Sequence, residues 1–119
     1  MLNRTVTILG VALACTACAS FPPPTNSLAN SLASVRGAEE IGAENVPKAA
    51  LQLQLAREEL TQAKRLMADG DNELAHSMAL RSSNDAELAI VLTREEQARV
   101  AATKADQRVE TARTPEVTP

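Results

Sequence analysis

Tryptophan and tyrosine are absent from this 119-residue chain, and Phe21 is its only aromatic. Without aromatic faces there is no platform on which bases or sugar rings can stack. Histidine occurs once, as His76, and cysteine twice, as Cys15 and Cys18. One histidine among scattered carboxylates is a poor start for metal binding or acid–base catalysis, so His76 reads as a surface or boundary residue. The net charge is −3 with the signs interspersed, which leaves no basic footprint for nucleic acid. No glycine-rich phosphate loop, nucleophile elbow or triad appears. Nor does any later run approach the ~20 apolar residues of a spanning helix.

The acidic pairs fare no better as chemistry. Glu39-Glu40 and Glu95-Glu96 are neighbours that diverge by ~100° on a helix, so they read as solvated faces rather than dyads. Asp69 and Asp71 flank Gly70, but a calcium loop needs about twelve residues and a closing glutamate. Turn and cap chemistry explains them. The expectation is a non-enzymatic protein with no cofactor, no metal, no nucleic-acid partner and no small-molecule substrate.

What the chain does have begins at its start, MLNRTVTILGVALACTACASFPPP. Arg4 precedes a short apolar run, small residues follow, then cysteine and prolines. This is the order of a secretory signal, too short to cross a bilayer, and the cysteine makes it resemble a bacterial lipoprotein signal. Cys18, preceded by Thr16 and Ala17, is the expected lipidation site. Cys15, preceded by Leu13 and Ala14, competes with it. With Cys18 acylated, the mature chain keeps no free thiol for a disulfide or metal site. Lipoprotein cysteines normally carry three acyl chains, and two or more anchor stably. Ala19 stands where aspartate is the usual inner-membrane retention signal in enteric bacteria. The expected location is therefore the periplasmic face of the outer membrane, held by lipid.

Residues 1–17 are thus expected to be a signal peptide, and 18–26 a lipidated tether. Pro22 to Pro24 favour an extended conformation at ~3.1 Å per residue that lifts the rest off the lipid surface. Removal of 1–17 leaves roughly 100 residues, enough for one modest core. A helical domain is expected over 27–112 and a disordered tail over 113–119. The fold class is all-α, a helical hairpin or three-helix bundle with a long third helix.

Helical spacing of Leu28, Leu32, Val35 and Ile41 predicts a first helix from Ser27 to Ala43, weakened by Gly37 and Gly42. Asn45-Val46-Pro47 breaks it. Ala49, Leu53, Ala56, Leu60, Ala63 and Met67 then alternate steps of four and three, a coiled-coil-type seam over Pro47 to Ala68. Gly70 suits a left-handed helix end, and Asp71 can cap the next helix. That helix runs from Asn72 to about Ala112, its seam beginning Ala75, Ala79, Ser82, Ala86, Ala89.

At 1.5 Å per residue the second helix is ~33 Å long and the third ~61 Å, so antiparallel packing exhausts the second near Leu92 and leaves ~30 Å overhanging. The overhang points away from the tether. Ala98, Ala101, Ala105 and Val109, with Ala112, make a thin stripe on it, the candidate interaction face.

Gly42-Ala43, Pro47, Ala56-Arg57-Glu58-Glu59-Leu60 and Ala63, then Gly70-Asp71, Ala75, Ala79, Asp85-Ala86 and Leu88-Ala89, resemble the pattern of a bacterial family defined by a domain of unknown function, DUF4398. The resemblance covers about residues 29–92. It implies a short lipoprotein or secreted envelope protein and transfers no activity. Two positions depart: Asn72 where an aromatic is frequent, and Ser82 where alanine is usual, which suggests a thinned core. The expected role is a helical interaction or structural module whose partner is an envelope protein. A self-associating envelope spacer is the alternative.

Overall fold

The computed structural model describes residues 20–113. Three helices account for nearly all of them: α1 over Thr25–Glu40, α2 over Pro47–Ala68 and α3 over Asn72–Arg113. The signal peptide, both cysteines and all but the first residue of the tail lie outside the described residues.

Local chemistry sets the boundaries. Pro47 occupies the first turn of α2, where a missing N–H costs nothing. At its end, Gly70 has φ +87, the left-handed conformation that closes a helix. Its N–H donates to the Met67 carbonyl at 3.2 Å, and that of Asp71 to the Leu66 carbonyl at 2.9 Å. This paired closure turns the chain directly into α3. The carbonyl of Asp71, rather than its carboxylate, receives the Ala75 N–H.

The first helix differs from expectation. It starts two residues earlier, at Thr25, and stops at Glu40 rather than Ala43. Gly42, at φ +79, reverses the chain into a 3-10 turn over Ala43–Asn45. Gly37 does not interrupt α1, and a Cβ built on it would lie 3.6 Å from Ile90 Cδ1 of α3.

The three helices share one apolar seam. Leu53, Ala56, Leu60 and Ala63 of α2 face Ala79, Ala86 and Ala89 of α3, and Leu28, Val35 and Ala38 of α1 close the third side. Alanine dominates, so the axes approach closely and side-chain volume is scarce. Ser31 and Ser82, both fully buried, fill the centre. Ser31 Oγ donates to Ser82 Oγ at 2.6 Å, and Ser82 Oγ donates to the Ala56 carbonyl at 2.7 Å. Ser82 therefore ties three helices at one point instead of merely thinning the core.

Candidate interaction face

The site is built on α3, whose two flanks are used by different partners. Toward α1 it presents His76, Ser83, Ile90 and Gln97, spaced seven apart. Ser27 Oγ and His76 Nδ1 lie 2.8 Å apart, Ser34 Oγ and Ser83 Oγ 3.1 Å. Gln97 donates to the Ile41 carbonyl at 3.2 Å. These pairs ascend together along both helices, so α1 is parallel to α3 and both are antiparallel to α2. The chain accordingly arrives at the Gly70 end, and the far end of α3 projects the opposite way.

The arrival is clasped. Asn72 Nδ2 donates to the Phe21 carbonyl at 2.9 Å, and the Phe21 ring lies 5.4 Å from the His76 imidazole. Pro24 is buried and its carbonyl takes the Leu28 N–H at 3.0 Å. Within the described residues Phe21 and Pro24 thus touch the bundle, while Pro22 and Pro23 between them stay exposed. Thr25 and Asn26, expected in the tether, are helical. Asn72 and His76, read from sequence as a core defect and a boundary residue, make this clasp.

Burial along α3 ends at Thr93, which is 1% exposed. Beyond it every residue to Arg113 is exposed except the half-buried Glu96. The reason lies in the helical phase. At 100° per residue, the positions continuing the seam are Glu96, Gln97, Val100, Lys104, Gln107 and Thr111, which are polar apart from Val100. A longer α2 would find only Val100 as an apolar residue to pack on.

Ala98, Ala101, Ala105 and Val109 are all exposed and share a face, as the spacing implied. That face lies roughly 125° around α3 from the buried seam. It is not the seam prolonged. It continues the outward surface of the bundle, where Leu80 and Val91 stand 47% and 58% exposed. Leu88 flanks the same line. The stripe therefore begins beside the bundle and runs onto the projection.

Charges follow two patterns. Arg57 of α2 pairs with Glu39 at 2.6 Å and approaches Glu44 at 3.7 Å, so Glu39 is an inter-helix partner and not simply solvated. Glu96 pairs with Arg99 at 2.6 Å on the projection itself. Glu59 is the exception. Sequence reading missed it, yet it is 8% exposed between α2 and α3, paired to Arg81 at 2.8 Å. Its position beside Leu60, with Arg81 and Asp85 one turn apart on the facing helix, was the available signal.

Among the described residues no three His, Cys, Asp or Glu side chains could jointly hold a metal ion. No helix there is long and apolar enough to cross a membrane. A recess between Phe21 and the start of α3, reaching Leu74 and Ser77, is an open groove.

These features define a small all-helical module whose third helix runs well beyond the packed bundle. The chain belongs to the family described as a domain of unknown function, DUF4398, whose model matches residues 26–105. The match takes in the whole bundle and continues along the projection to Ala105, well beyond the 29–92 span of the residue-level resemblance. No curated protein and no solved structure matches the chain.

Proposed function

We propose that this protein is a non-enzymatic outer-membrane lipoprotein that presents a helical module to the periplasm for interaction with another envelope protein. The observation that carries the reading is directional. The chain arrives, clasped, at the Gly70 end, while α3 projects from the other end with an apolar stripe that neither α1 nor α2 covers. Acylation at Cys18 would leave only Ala19 and Ser20 between the lipid and the Phe21 clasp, so the bundle would stand end-on and close to the surface. From there α3, at 42 residues, reaches ~63 Å. The family match, running to Ala105, supports treating the projection as part of the module.

The test places a photo-crosslinking residue at Ala105 in the native cell envelope. Capture of a discrete envelope protein, lost on charge substitution at Ala98 and Ala101, is the expected result. Self-crosslinking alone would replace it with the spacer reading, and absence of any adduct would remove the stripe from consideration. Mass spectrometry of the Cys18→Ser and Cys15→Ser variants tests the anchor: only the former should lose the acyl mass.

A further inference from the structure

Glu59 is the one carboxylate the bundle buries among the described residues. Its Oε1 meets the Arg81 guanidinium at 2.8 Å, but Arg81 is itself 62% exposed. Its Oε2 is enclosed with no hydrogen-bond partner. An orphaned, buried oxygen of this kind is costly.

The candidate to satisfy it is Asp85, half-buried and one turn beyond Arg81 on the same side of α3, where its negative charge acts on the Glu59 carboxyl. Ionised carboxylates only accept, so two of them cannot bond each other. One proton changes this. A protonated Glu59 donates its O–H to the Asp85 carboxylate, and a single negative charge then faces the single guanidinium.

The surroundings offer no competing charge. Asp85 and Arg81, both on α3, are the charged groups that act on Glu59. On its own helix, Arg57 is turned to Glu39 and Glu44, and Glu58 accepts from Gln54. Glu39 of α1 is occupied by Arg57. Burial raises the Glu59 carboxyl above the usual glutamate value, the negative charge of Asp85 raises it further, and Arg81 offsets part of the rise.

We propose that Glu59, Arg81 and Asp85 form a proton-operated latch between α2 and α3, closed while the two carboxyls share one proton and loosened when that proton leaves to solvent. The folded chain holds the proton more tightly than the unfolded one. The latch's contribution to stability is therefore complete below the ordinary glutamate value and is lost as pH rises through the raised one.

The test is the melting temperature of the full chain between about pH 5 and pH 8. The wild type should lose a few degrees on that rise. Glu59→Gln, which cannot titrate, should lose most of the dependence, and Asp85→Asn should flatten it. Retention of the wild-type slope by Glu59→Gln overturns the latch. If that variant does not fold, the carboxyl 13C titration of wild-type Glu59 decides: a midpoint no higher than the ordinary glutamate value has the same consequence.

Discussion

The two halves of α3 make an instructive pair. Residues 72–93 bury Ala75, Ala79, Ser82, Ala86, Ala89 and Thr93, whereas residues 94–113 bury none. Both halves are rich in alanine, and both are helical without interruption. Alanine content therefore does not separate them; charge and phase do. Residues 94–113 carry nine charged side chains against four in residues 72–93. In the first half the small residues fall on the line facing α1 and α2, and in the second they fall on the outward face. The second half is helical on its own merits. Its Ala, Arg, Glu, Lys and Gln content suits a helix. The Glu96–Arg99 pair adds local support, and the packed half supplies the nucleus that an isolated helix would lack.

The comparison breaks most visibly under charge. Ala86→Arg inserts a long cation into a fully buried site and should cost about 3 kcal/mol or more. Against the ~5–15 kcal/mol of a typical domain, a large loss of melting temperature by circular dichroism is expected. Ala101→Arg, on the exposed face, should shift stability by no more than ~0.5 kcal/mol while removing the partner crosslinked from position 105. Equal effects of the two would erase the distinction between seam and stripe.

Ser82→Ala probes the seam more gently. It removes the tie to the Ala56 carbonyl and the acceptor used by Ser31, and should cost about 1 kcal/mol in denaturant unfolding. Adding Ser31→Ala should cost less than a second full increment, because the two hydroxyls form one unit.

Smallest, and of opposite sign, is Gly37→Ala. A Cβ there would meet Ile90 Cδ1 at 3.6 Å, an ordinary contact, so the variant should gain up to ~1 kcal/mol. A loss would mean that α1 and α3 are already as close as they can come.

Much of this architecture was legible in the sequence where backbone chemistry was strong. Val46-Pro47 and Gly70 delimit α2 to the residue, because proline and a left-handed glycine leave few alternatives. The end of α1 was harder. Ile41 suggested a helical apolar face, but Gly42 takes φ +79 and the helix stops before it. Ser31 escaped notice as core because a hydroxyl carries no hydrophobic signal, and Ala38 because alanine's is weak beside Leu28, Leu32, Val35 and Ile41, yet both are fully buried. Glu59 escaped for the opposite reason, as a charge beside a seam normally points outward. The four stripe residues were grouped on one face by spacing alone. Their offset from the seam needed the packed half of α3 as a reference.

The parallel course of α1 and α3 has a mechanical consequence. A pull applied between Ser20 and the tip of α3 acts along both helices in opposite directions at opposite ends. The Asn72–Phe21, Ser27–His76, Ser31–Ser82, Ser34–Ser83 and Gln97–Ile41 bonds then share the load in shear, together, instead of opening one after another. Had α1 run antiparallel to α3, the same force would have peeled it away from one end. The arrangement makes a module with few aromatic contacts and a thin core resist tension better than its thermal stability alone would suggest.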